Sequence, residues 1–331
     1  MADLSILIAI ARNALIHVLG LAPDDTVLVV TDESRRRIGE AFHAAAAGIG
    51  CPACLYTLPE SARPLREAPP ELVGLLDDVT IVVNALQARN DEIPFRVAWL
   101  QRIGATGRIR CGHSPGITEE MFENGPLAID YGAMVDTAGR LVAAFEGAIS
   151  ARITAPGGTD LSVGLFGRPF VHDCRGSVET MVNLPCGEIY AAPVESDAEG
   201  ILVADGSIGA LGPPPRPVRI HVRGGRIARI AGGSDELHQE LTRLTTLDPW
   251  AAVIGELGIG INPGARIVGR MLEDEKALHT APIAFGNNED MPGGCNVSCT
   301  HLDFLFHLPT LVATYADGSA RALLARGELR F

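Results

Sequence analysis

The sequence predicts two domains: an α/β domain with a parallel sheet over residues 1–147, then a mostly β, barrel-like domain over residues 148–331. Three observations predict this. At 331 residues the chain exceeds what one ordinary core holds. Through about residue 147, short apolar runs alternate with longer amphipathic ones, the pattern of strands and covering helices. From about residue 148 the texture changes to short β-type segments separated by Gly, Pro and Asp turns, as in an antiparallel sheet or barrel.

The elements follow in order. In MADLSILIAIARNALIHVLG, Asp3, Arg12, Asn13 and His17 break the apolar run at helical spacing and no basic region precedes it, so an amphipathic helix is expected and not a signal peptide. TVLVVTD (26–32) reads as a buried strand, and RRRIGEAFHAAAAGIG (35–50) as a helix closed by glycine. CLYTL, VTIVVNA (79–85) and RIRCGHS (108–114) read as further strands. The first strand–helix turn, DESRRR, carries no glycine fingerprint, so no dinucleotide site is expected there. His17 and His43 fall on predicted helices and read as structural. In the second half ARITA, LSVGLF, GILVAD, VRIHV, GRIARI and TLVATYA read as strands. GALGPPPRP (209–217) reads as a stiff loop, and DELHQELTRL (235–244) as a helix with His238 exposed.

With 47% hydrophobic and 20% charged residues the chain can bury a large core. A net charge of −13 and the lack of any Lys/Arg-rich run argue against nucleic acid and anionic membrane as partners. No apolar stretch reaches the roughly 18 residues of a membrane span. The seven cysteines, an odd count, fit reduced thiols and a cytoplasmic location. Cys51 and Cys54 form a CxxC that runs into a strand and opens no helix, which argues against redox chemistry. Cys111, Cys174, Cys186, Cys295 and Cys299 are expected to be small buried hydrophobes.

The polar residues that need an explanation lie in the second half. In THLDF, His301 and Asp303 are two apart in an apolar segment, so on a strand they point the same way. Glu188 in NLPCGEIYAAP and Glu256 in GELGIGINPGARI each follow a glycine and are expected near the mouth of a strand. Each glutamate alone also fits an acceptor of backbone N–H groups. Together they make three carboxylates and a histidine, a donor set suited to zinc, manganese, cobalt or ferrous iron. In LEDEKAL, Asp274 and Glu275 read as a solvated turn. Lys276 there would neutralise them or meet a substrate carboxylate.

TAPGGTDL, NLPCGEIYAAPVE, ELGIGINP with LEDEKALHTAPIAFGNN, and GGCNVSCTHLDF, in this order, resemble the thermophilic aminopeptidase (M29-like) group of metallopeptidases from about residue 150 onward. The resemblance implies an N-terminal α/β domain, a C-terminal barrel-like sheet holding two metal ions, a homodimer, and ligand roles for Glu188, Glu256, His301 and Asp303. Two departures stand out. Where the resemblance places a further ligand histidine the chain has Pro282, which offers no ligand atom. The tyrosine expected a few residues later is also missing, with Asn287, Asn288 and Glu289 in its neighbourhood. His279, three positions before the proline, is a further candidate ligand, and His307 falls on the Asp303 face if that strand continues.

Three functions are compatible with this pattern. The first is a metal-dependent hydrolase of aminopeptidase type, acting on a peptide or amide with a free amine, with Zn, Co or Mn and with Glu188 as general base. The second is a mononuclear Fe(II) ring-cleaving dioxygenase, since the scaffold is similar to that of 2,5-dihydroxypyridine dioxygenases. His301, Asp303 and His279 would then form its triad. The third is a non-catalytic or repurposed binding protein for peptides or small molecules.

Overall fold

A computed structural model describes residues 3–331; residues 1 and 2, the start of the predicted first helix, lie outside the described residues. The chain divides into two compact units. One takes the chain up to Ala133 together with Asp173–Cys186, and the other takes Met134–His172 with Gly187–Phe331. No helix among the described residues is long and apolar enough to cross a membrane.

The first unit is α/β. Helix α1 (Leu4–Leu19) starts at Asp3, whose side chain accepts from the Ser5 N–H, and ends at Gly20 in the left-handed region, φ 61°. Strands β1 (Val27–Thr31), β2 (Ala53–Thr57), β3 (Ile81–Leu86) and β4 (Arg110–Pro115) form a parallel sheet in the order β2-β1-β3-β4. The pair Val182–Asn183 adds a fifth parallel strand beside β4, from a stretch that sequence periodicity groups with the β-rich half. β1 and β3 are buried on every residue, the signature of strands covered on both faces. Helix α2 (Arg36–Ala47) follows a short turn capped by Asp32. Helix α3 (Ile93–Gly104) is tied to β3 by Trp99 Nε1 donating to Asn84 Oδ1 at 2.8 Å.

Asp32 and Glu92 sit at the C-terminal edge of this sheet and share one cation. Arg63 Nη2 lies 2.5 Å from Glu92 Oε2 and Arg63 Nη1 lies 3.2 Å from Asp32 Oδ2, all three side chains being at most 3% exposed. The Leu65 N–H donates to Glu92, and Gln87 N–H to Asp32.

The second unit is built mainly on antiparallel β-sheet, along with most of the helix Tyr131–Phe145 and the helix Asp235–Leu244. One sheet has eight strands, with Ala148–Thr154, Asp160–Gly164, Ala198–Ala204, Val218–Arg223, Arg226–Gly232 and Thr310–Tyr315 close to where the sequence predicts them. The other has five, and four of them carry the residues of interest: β5 (Glu188–Ala191), β6 (Ile254–Gly260), β7 (Ile283–Gly286) and β8 (His301–Phe304), in the order β8-β7-β6-β5. Isolated bridges pair Ile208 with Phe304, Arg226 with Val253 and Thr280 with His307. The helix Asp235–Leu244 is capped by Ser234 and leaves His238 exposed, as expected.

All seven cysteines are free thiols. Cys111, Cys174 and Cys186 are buried, but Cys295 and Cys299, expected inside, are exposed. They lie on a loop whose backbone N–H groups at these two positions donate to Glu195 and Asp248, which turns the side chains outward.

Replacing Arg63 with Met strands Glu92 and Asp32 without their shared cation. The expected loss is on the order of 3–5 kcal/mol at neutral pH, measured by urea unfolding. Burial raises the Glu92 carboxyl, but Arg63 overrides it and holds the group below its ordinary 4.5. The stabilisation is therefore complete above that value and is lost as pH falls through the depressed one. The wild type and the Arg63→Met variant should converge in acid.

Candidate metal centre

Register brings the polar residues together on one face of the five-stranded sheet. Glu256 on β6 and Asp303 on β8 both pair with Ala284 of β7, so the two carboxylates flank one small side chain in a single row. A bulge between Ile254 and Glu256 re-aims β6 at this point. His301 pairs with Gly286, whose φ of 113° and whose contact with the Thr300 carbonyl leave no place for a Cβ. Along β6, Gly258 and Gly260 continue the Glu256 face by strand alternation. Glu188 lies across Gly258: a Cβ built there would stand 2.1 Å from Glu188 Oε1 and 2.8 Å from Pro282 Cγ.

Glu256, His301 and Asp303 each offer one donor atom within 4.8 Å of the others. His301 Nε2 is 3.3 Å from Glu256 Oε2 and 3.3 Å from Asp303 Oδ1. The other ring nitrogen, Nδ1, is 2.8 Å from the Asn287 carbonyl, so it carries the proton and donates. With Nδ1 so occupied, Nε2 is the nitrogen that faces the carboxylates and would give its lone pair to an ion in exchange for its proton, the arrangement of a metal-ligating imidazole with its outer partner in place. The two carboxylates are 9% and 10% exposed and the imidazole 33%, which leaves one side of the group open to solvent. Burial by itself would lower the His301 pKa, but Asp303 and Glu256 together raise it well above 6.5. Burial likewise would raise Asp303, and His301 with Lys276 holds it below its ordinary value. These are the signs of negative charge gathered around a cation-accepting point.

Glu188 and His279 are not part of this group of three. Glu188 is the first residue of β5, at the strand mouth as expected, and is 3% exposed. Its Oε2 accepts from Lys276 Nζ at 2.8 Å. His279 has left-handed backbone, φ 70°, and its Nδ1 lies 3.0 Å from the Gly327 carbonyl. Glu256 lies inside its strand and not at the mouth, because β6 begins at Ile254. β8 stops at Phe304, so His307 does not continue the Asp303 face. It is exposed, with its backbone N–H on Asp205.

The LEDEK turn is not solvated. Asp274 is fully buried and accepts from the N–H groups of Val268 and Gly269, and Lys276 is 4% exposed with Nζ also 2.8 Å from Glu275 Oε1. Burial and the charges of Asp303 and Glu256 outweigh Lys276 and push the Glu275 carboxyl up to about 7.

Sequence reasoning also missed the fastening of the loop that supplies the Asn287 carbonyl and leads into His301. Asn296 Nδ2 donates to the carbonyls of Ile254 (2.9 Å) and Gly286 (3.1 Å), and its N–H donates to Asn288 Oδ1 at 2.7 Å. Asn288 Nδ2 donates to the Gly255 carbonyl and to Glu195. The only hint in the sequence is a pair of asparagines bracketing a Gly-rich loop.

Residues 144–329 match the model of the thermophilic metalloprotease (M29) family. The chain belongs to that family. Membership implies a divalent metal ion, and the N,O,O donor set of Glu256, His301 and Asp303 fits one. Two solved structures share the fold. AmpT from Thermus thermophilus aligns over 99% of this chain and 99% of its own at 18% identity, TM-score 0.75. A 2,5-dihydroxypyridine dioxygenase from Pseudomonas putida KT2440 aligns over 100% of this chain and 98% of its own at 18% identity, TM-score 0.73. A comparison with curated proteins finds no match.

Asn296→Ala removes the donor for two strand carbonyls. The expected cost is about 1–3 kcal/mol of stability. Because the same loop orients His301, divalent-ion affinity should also fall by about 10–100-fold in calorimetric titration, a loss that a purely structural asparagine would not show.

Proposed function

We propose that the protein is a metal-dependent hydrolase of aminopeptidase type, acting on a peptide or amide with a free amine. The observation that carries this reading is the convergence of Glu256, His301 and Asp303 within 4.8 Å, with the imidazole Nδ1 on the Asn287 carbonyl and Nε2 facing the carboxylates. These three residues would hold a divalent ion such as Zn, Co or Mn. When bound, such an ion polarises the substrate carbonyl and lowers the pKa of water beside it.

The chain's own residues would do the rest. Glu188 is the remaining carboxylate of the face; with Oε2 fixed by Lys276, it would accept a proton at Oε1, the oxygen over Gly258. Glu188, Glu256, Glu275 and Asp303 make the surroundings acidic, which favours the cationic amine end of a peptide over its carboxylate end. The donor set also bears on ring-cleaving Fe(II) chemistry. That chemistry uses two imidazoles and one carboxylate, whereas this group has one imidazole and two carboxylates.

The test is release of the N-terminal residue from short peptides after chelation and readdition of Zn²⁺, Co²⁺ or Mn²⁺. Cleavage should require metal, fail on peptides with an acetylated amine, and drop by about 100-fold or more in Glu256→Gln and His301→Ala. Turnover indifferent to chelator and to both substitutions would falsify the assignment.

A further inference from the structure

We propose that the Lys276 ammonium is a resident cation of this centre, so that the protein takes one divalent ion, on Glu256, His301 and Asp303, with lysine in the place of a second. The inference rests on the metal reading above and goes beyond it in the number of ions and in the role of Lys276.

The geometry around Nζ carries the argument. Lys276 Nζ is 2.8 Å from Glu188 Oε2 and 2.8 Å from Glu275 Oε1, with the lysine and Glu188 side chains each 5% exposed. An ammonium this deep is stable only when carboxylates surround it. Its charge also acts on Asp303, a member of the three-residue group, whose carboxyl it helps hold below its ordinary value. It therefore compensates carboxylate charge that a second ion would otherwise have to neutralise.

Backbone contacts fix the lysine there. The Lys276 carbonyl accepts from the Asn262 N–H at 2.9 Å, and the Lys276 N–H donates to the Glu273 carbonyl at 3.1 Å. The turn presses on the end of β6 at Gly260, where a Cβ would stand 2.1 Å from the Ala277 carbonyl oxygen and 2.8 Å from the Lys276 carbonyl carbon. The Lys276 backbone is thus held against β6, the strand that carries Glu256.

The donor inventory agrees. The carboxylates on this side are Glu188 and Glu275, and another ion there would need a further ligand. The residue that faces Glu188 across Gly258 is Pro282, which has no donor atom. A compact ammonium with three N–H donors needs no such ligand, because the carboxylates themselves are its partners.

The experiment counts ions in the full chain. Chelator-treated protein is titrated with Mn²⁺ by calorimetry, and the loaded protein is read by electron paramagnetic resonance, which separates an isolated ion from a spin-coupled pair. Wild type should take one equivalent with the isolated-ion spectrum, and His301→Ala none. Pro282→His should stay at one equivalent, because the ammonium still holds the place. Lys276→Ala combined with Pro282→His should take two and show coupling. The neutral pair Glu188→Gln/Lys276→Met, used if Lys276→Ala fails to fold, removes the ammonium together with one of its two carboxylates and should keep one.

Two equivalents in the wild type, or in Pro282→His alone, overturn the proposal and leave the hydrolase reading intact. So does a Lys276→Ala/Pro282→His protein that folds and stays at one, or a neutral pair that loses its ion. No binding at all in the wild type removes the metal reading, and the proposal with it.

Discussion

The second unit is organised around the compensation of buried negative charge. Glu188, Glu256, Glu275 and Asp303 share one face of an antiparallel sheet and its covering turn. Two unit charges 4.8 Å apart repel by about 3–4 kcal/mol at an effective dielectric of 20. A single hydrogen bond returns about 1 kcal/mol. Hydrogen bonding alone therefore cannot hold such a set together, and positive charge must be built in or bound. The fold supplies the Lys276 ammonium between Glu188 and Glu275 and the His301 imidazole between Glu256 and Asp303. The first is covalent and permanent. The second can exchange its proton for a metal ion, which makes the His301 side the natural seat of a bound ion and explains why it alone keeps an open flank.

Much of this was legible in the sequence, for one reason: strand alternation is local. The two-residue spacing of His301 and Asp303 specifies a common face, and the apolar residues around them specify a strand. The α/β and β-rich halves were readable for the same reason, from periods of a few residues. What was not legible depends on contacts between distant segments. The LEDEK stretch has the composition of a solvated turn. It is buried because Asp274 finds the N–H groups of Val268 and Gly269 and Lys276 finds Glu188, 88 positions away. A flexible lysine stem can reach many partners, so its choice cannot be read from spacing. The loop asparagines are hidden likewise, since Asn296 serves carbonyls on two different strands.

His279 shows how a candidate drawn from proximity along the chain can be redirected by backbone. It stands three residues before the proline, close enough in sequence to replace a lost ligand. Its left-handed φ of 70° carries the side chain against Gly327, where its Nδ1 meets the carbonyl. The ring is thereby spent on joining the Thr280 turn to the last hairpin, beside the Thr280↔His307 bridge.

The face itself is built from absences. Gly258, Gly260, Ala284 and Gly286 occupy the positions between the charged residues, and at each glycine an added Cβ would meet a carboxylate or a carbonyl oxygen at 2.1 Å. Small residues let the long glutamate side chains lie along the sheet and reach one another, which bulky neighbours would prevent. Such a face tolerates change asymmetrically. Exchanging one donor for another alters charge within an existing space, whereas a methyl group added at Gly258 would stand 2.1 Å from Glu188 Oε1 and 2.8 Å from Pro282 Cγ, so the side chain whose Oε2 holds Lys276 has to shift. The glycines of β6 therefore shape this face, although none of them carries any chemistry.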